Sequence, residues 1–174
     1  MKTKRLVILS MLVALSVILH YVESLIPPFL PIVGFRLGLS NLITLFALFF
    51  YGGGSYVFVM LVTVLLVALI SSGFSIQFFM SLTGSILSML MALFLYYVLR
   101  SSIYSNSIMA SLFHTLGQLL MYAIFFNTFY IFSYLAILGP LSLLTGLFNA
   151  VLVKILIRRL PKSILSDEKR RRSR

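Results

Sequence analysis

The chain has 174 residues, 61% of them hydrophobic and only 10% charged, with a mean hydropathy of +1.12. A soluble domain carries about 25% charged residues, so this composition excludes a water-soluble globule and makes lipid the solvent for most of the chain. The net charge of +11 does not indicate nucleic acid, because 13 of the 14 Lys and Arg lie at Lys2, Lys4, Arg5, Arg100 and in residues 154–174, the helix ends and tails that the positive-inside rule fills.

In chain order, apolar stretches separated by breakers predict six helices. The first covers residues 5–21 or slightly more. MKTKR followed by an apolar run resembles a signal peptide, but HYVESLIPP replaces the small-residue cleavage site, so a retained helix is expected. A loop with Pro27, Pro28 and Pro31 follows, since proline does not continue a helix. The second helix, near residues 37–51, is short: it rises only about 21 Å. GGGS at 52–55 reads as a tight turn. The third helix covers 56–70 and ends at SSGFS, and the fourth covers 77–99 and ends at Arg100. SSIYSNS reads as a polar connection before a fifth helix at 108–126. A sixth at 130–160 is expected to bend near Gly139 and Pro140. The expected organisation is one six-helix transmembrane domain, residues 1–160, and a basic tail, 161–174, whose DEKRRRSR suits anchoring at anionic headgroups or, alternatively, protein docking. Six spans and the 13-to-1 charge asymmetry predict a multi-pass protein of the cell membrane with both termini cytoplasmic.

The chemistry available is narrow. With no cysteine, disulfides, thiolate metal sites and cysteine nucleophiles are excluded. Asp167 and Glu168 lie in the tail, which leaves Glu23 as the one carboxylate near the membrane body. Paired carboxylates, acidic magnesium–diphosphate clusters and a glycine-rich phosphate loop with lysine are all missing, and no catalytic residue, metal or cofactor is expected. The polar residues at membrane depth are His20, Glu23, Arg36, Asn41, Gln77, His114, Gln118, Asn127 and Asn149. Such groups are costly in lipid and normally face the bundle interior or a cavity. Arg36 can pair with Glu23, either as a salt bridge shaping the proline loop or as part of a substrate contact. Ala110, His114, Gln118 and Tyr122 recur every fourth residue and form one stripe. A stripe of His, Gln and Tyr suits a pocket for a polar small molecule, against the plainer alternative of interhelical hydrogen bonding. Small residues at four-residue spacing, Ser10 with Ala14, Gly84 with Ser88 and Ala92, and Gly146 with Ala150, mark close helix approach.

The stretches HYVESLIPPFLPIVGFRLGLSNLITLFALFFYG, SLTGSILSMLMALF and HTLGQLL, in this order, resemble the Gx transporter family, also named heptaprenyl diphosphate synthase component I, and more broadly the S components of energy-coupling factor transporters. Two positions depart from that pattern: Thr63 stands in place of an arginine and Thr115 in place of an asparagine. The resemblance implies an S-component-like bundle that binds a vitamin-like compound and docks on a transmembrane coupling protein with two ATPase subunits. It implies docking through small residues of the first helix, here Ser10 and Ala14. Glu23, Arg36, Asn41, His114, Gln118 and Tyr122 are the candidate substrate contacts. The 16 Phe and 9 Tyr suit a flat ring system such as a flavin, and equally suit packing and interfacial belts. The synthase name conflicts with the residues, since prenyl diphosphate synthases carry aspartate-rich motifs and this chain has one aspartate. The alternative reading is a non-catalytic membrane subunit of a quinone-, isoprenoid- or flavin-linked electron-transfer assembly, in which His20 and His114 are the available redox-cofactor ligands, though they sit at different depths and neither has a second histidine on its face.

Overall fold

The computed structural model describes residues 2–25 and 38–159. Six α-helices account for most of them: α1 (Lys2–Leu25), α2 (Leu39–Tyr51), α3 (Gly53–Val67), α4 (Ile76–Tyr97), α5 (Ile103–Phe126) and α6 (Leu135–Arg159). There is no strand among the described residues. Five helical segments are long and apolar enough to cross a bilayer, and Leu39–Tyr51 is the shorter sixth. The protein is an all-α polytopic membrane protein. The proline loop, with Arg36, and the basic tail lie outside the described residues.

The helices alternate in direction, as contacts at one end demonstrate. Arg5, at the start of α1, donates from Nη2 to the Tyr51 carbonyl at the end of α2 (3.3 Å) and to Ser55 Oγ at the start of α3 (2.8 Å). There a guanidinium meets the negative end of the α2 dipole. The Gly53 N–H donates to Tyr97 Oη at the end of α4 (3.2 Å), and Lys154, late in α6, donates to Tyr104 Oη at the start of α5 (3.1 Å). Arg5, Tyr51, Gly53, Tyr97, Tyr104 and Lys154 therefore share one end of the bundle.

The short α2 is the centre of the protein. Residues 43–48 and Phe50 are all buried, and Leu45, Phe46, Leu48 and Phe50 form one core cluster with Tyr56, Ala92, Ala110 and Val153 from four other helices. A helix apolar on every face is stable only when surrounded. By contrast Leu6, Met11 and Ile18 of α1 are exposed, as lipid-facing side chains are.

Glycines set the closest approaches. A Cβ on Gly117 of α5 would fall 2.7 Å from Gly84 Cα of α4, and one on Gly146 of α6 would fall 2.8 Å from Ile108 Cα of α5. Such seams let backbones meet in a solvent that gives no hydrophobic drive for association.

Three local expectations are corrected. GGGS is not a four-residue turn: Gly52 alone, at φ 89°, makes the break, and helix resumes at Gly53. SSIYSNS is not a polar linker beyond its first two residues. Ser102 caps α5 by accepting from the Ser105 N–H, and Asn106 and Ser107 are buried helical residues that bond to backbone carbonyls of α4 and α6. The last helix starts at Leu135 and not at residue 130, because Tyr130–Tyr134 form a 3-10 turn, and Pro140 lies inside it. The third helix closes with a π-turn, Ala68–Ser72, before Gly73 at φ 58° ends it.

Candidate functional site

The start of α2 lies inside the thickness of the protein. Thirteen residues rise about 20 Å, against a hydrocarbon core of roughly 30 Å, and Tyr51 is anchored at the Arg5 end. The first turn of a helix carries unsatisfied N–H groups and a positive partial charge, and inside a bilayer the protein itself must satisfy them.

Glu23 does. Although α1 exposes most of its surface, Glu23 is 6% exposed. Its Oε1 accepts from the Gly38 N–H (2.5 Å) and its Oε2 from the Leu39 N–H (3.2 Å). Gly38 is the N-cap and sits at φ 72°, the left-handed region that glycine adopts without strain. The Gly38 carbonyl accepts from the Asn41 N–H (2.9 Å) and from Asn149 Nδ2 of α6 (3.2 Å). A Cβ at Gly38 would lie 3.1 Å from Asn41 Nδ2 and 3.6 Å from Asn149 Nδ2, so both amide side chains crowd the cap. Asn149 is 1% exposed. Its Oδ1 has no hydrogen-bond partner among the described residues.

Asn41 also lines a cavity of about 20 Å³, which it shares with Thr44, Tyr56, Ser88, Ser107 and Ser111, together with Leu45 and Ala110. That is room for about one water-sized group. Thr44 Oγ1 donates to the Asn41 carbonyl (3.0 Å) and Ser107 Oγ to the Gly146 carbonyl (2.7 Å). Glu23, Gly38, Asn149, Asn41 and this cavity form a polar column through an otherwise apolar bundle.

Asn41 stands at the junction of cap and cavity. Glu23 stands at the cap, with its carboxylate on the α2 backbone. Ala110 of the α5 stripe lines the cavity. His114 and Gln118, one and two turns further along α5, are half-buried on the α4 seam. A Cβ at Gly84 would lie 2.8 Å from the His114 carbonyl, 3.2 Å from its Cε1 and 3.0 Å from Gln118 Cγ. Tyr122 is half-buried, its ring 4.4 Å from that of Phe126. Ser10 and Ala14 are exposed on α1, away from the column. Gln77 and Asn127 are exposed at helix ends. Thr63 and Thr115 differ: Thr63 is buried with Oγ1 unpaired among the described residues, whereas Thr115 Oγ1 donates to the Ser111 carbonyl (3.2 Å). No group of three or more His, Cys, Asp or Glu among the described residues is placed to hold a metal ion.

Thr44, Tyr56, Ser107 and Ser111 were missed by reading the sequence, and Ser88 was taken only as part of a small-residue stripe. Their signal was present but weak. Ser107 and Ser111 are four apart and Ser88 aligns with Gly84, yet hydroxyls in membrane helices commonly bond their own backbone.

Fold and column together define a polytopic helical membrane protein with a buried, uncharged polar cavity and one buried carboxylate that caps its short central helix. The chain belongs to the family described as heptaprenyl diphosphate synthase component I, whose sequence profile matches residues 12–156. The description is of one component of an assembly and names no catalytic role for it. No curated protein and no solved structure matches the chain.

Proposed function

We propose that the protein is the membrane-embedded substrate-binding subunit of a transporter of the energy-coupling factor type, carrying a vitamin-like small molecule with a flat ring system such as a flavin. The observation that carries this reading is the polar column. In a bundle surrounded by lipid, a carboxylate, two asparagines and five hydroxyls converge around the buried start of a short helix. Buried polar groups at membrane depth mark solute pathways, and helix starts near the midplane are a recurrent way for transporters to build a binding site. On this reading Asn41 meets the substrate directly, Glu23 and Arg36 act at the entrance, and the His114, Gln118 and Tyr122 face forms one wall. The carboxylate of Glu23 holds the site open by capping α2 rather than by catalysing a reaction.

The protein carries no ATP-binding motif, so its power comes from separate ATPase subunits through a transmembrane coupling protein. The exposed small residues Ser10 and Ala14 on α1 are the proposed docking contact, since small side chains let a partner backbone approach closely. The membrane is the cell membrane, with both termini in the cytoplasm.

The test is affinity purification of the full chain from its native membrane, with protein identification and mass spectrometry of any retained small molecule. Two ATPases, a coupling protein and a ring compound are expected. S10L/A14L should lose the ATPases while keeping the small molecule. Recovery of redox proteins in place of ATPases would instead support the electron-transfer reading.

A further inference from the structure

We propose that the cavity between α2, α3, α4 and α5 receives a neutral group of the substrate that bears an N–H or O–H, and rejects an anionic one. The assignment rests on the substrate-binding reading above and deepens it. The six polar residues lining the cavity are Asn41, Thr44, Tyr56, Ser88, Ser107 and Ser111. None carries a charge. A phosphate or carboxylate placed there would lose its hydration with no cation among the residues that line the cavity to replace it, and burying an unpaired charge is prohibitive.

The direction of the hydrogen bonds makes the selection finer. Thr44 and Ser107 have committed their protons to the carbonyls of Asn41 and Gly146, so towards the cavity both hydroxyls only accept. Just above, Asn149 has spent an amide proton on the Gly38 carbonyl and keeps Oδ1 buried and unpaired among the described residues. Thr44 Oγ1 and Ser107 Oγ in the cavity, and Asn149 Oδ1 beside the Gly38 cap, therefore stand as open acceptors, and the partner they call for is a donor. The remaining amide protons of Asn41 and the hydroxyl of Ser111 allow that group to accept as well. An amide, imide or alcohol fits; a diphosphate does not. The size, about 20 Å³, limits the group to one such terminus.

Purified full-length protein in lipid nanodiscs is titrated by calorimetry with matched pairs that differ in phosphorylation: riboflavin and flavin mononucleotide, pyridoxine and pyridoxine 5′-phosphate, farnesol and farnesyl diphosphate. In a pair that binds, the neutral member should bind about tenfold or more tightly than its phosphorylated partner, and Thr44→Val should weaken it by about tenfold, the loss of one good hydrogen bond. Ser111→Ala, which breaks no bond between helices, gives a second variant should Thr44→Val unfold. Equal or tighter binding of the phosphorylated member overturns the assignment, as does neutral binding untouched by both variants. So does failure of every neutral probe to bind at about 1 mM. Stabilisation by sodium chloride alone, absent with potassium chloride, would mean that the oxygens hold a bare cation, and also overturns it. A neutral probe that binds as expected in a protein that recruits no ATPase refutes the transport reading and leaves the cavity assignment standing.

Discussion

The Glu23 carboxylate of α1 accepts the Gly38 backbone N–H at 2.5 Å, so the first turn of α2 is completed by a side chain 15 residues earlier in the chain. The same carboxylate takes the Leu39 N–H. A helix that begins below the membrane surface thereby gains acceptors for its first amides and a negative charge at the positive end of its dipole.

Removing that cap should cost stability before it costs anything else. Glu23→Ala leaves the Gly38 and Leu39 N–H groups buried without this acceptor, a loss of roughly 1–3 kcal/mol each. Glu23→Gln keeps one acceptor oxygen and should lose about half as much. Thermal unfolding in detergent, followed by circular dichroism, should rank wild type above Glu23→Gln above Glu23→Ala. An unchanged midpoint in Glu23→Ala would contradict the cap.

The α4–α5 seam makes a sharper steric prediction. A Cβ on Gly117 would sit 2.7 Å from Gly84 Cα and 2.8 Å from the Thr83 carbonyl, both backbone atoms that do not rotate away. Gly117→Ala should therefore destabilise by about 1–3 kcal/mol, as overpacking does. Gly54→Ala, with nothing within 4 Å of its added carbon, should be neutral or slightly stabilising, because alanine is the better helix former. Equal midpoints for the two variants would mean that the helices are further apart than described.

His114 and Gln118 separate wall from packing. If the α5 face contacts substrate, His114→Ala and Gln118→Ala should each weaken ligand binding by about tenfold, with little change in the melting temperature of the ligand-free protein. Calorimetric affinity and apo melting temperature, measured on both variants, check this. Lower stability with unchanged affinity would assign both side chains to the α4 seam and confine the site to Asn41 and the cavity.

Orientation is testable in a background free of cysteine. Ser75, exposed where α4 begins, and Ser105, exposed in the first turn of α5, lie at opposite ends of the bundle. With the N-terminus cytoplasmic, Ser75→Cys should react with a membrane-impermeant maleimide in intact cells and Ser105→Cys only after lysis. The reverse pattern would invert the topology.

The number of helices, their apolar character and the membrane as solvent were all legible in the sequence, because each residue's transfer free energy acts locally and accumulates over a window. So was the scarcity of carboxylates. Tertiary structure alone decided what those residues touch. The carboxylate of Glu23 lies on the backbone of Gly38 and Leu39, contacts that no spacing announced, while Arg36, its expected partner, lies outside the described residues. Asn106 and Ser107 read as a polar linker, and both are buried in helix because Ala92 and Gly146, 14 and 39 residues away, present carbonyls to them. Asn149 meets the Gly38 carbonyl across 111 residues. Periodicity records which face of a helix avoids lipid. It does not record which acceptor on another helix stands opposite, because that is set by the glycine seams that fix how closely and at what height the helices pack.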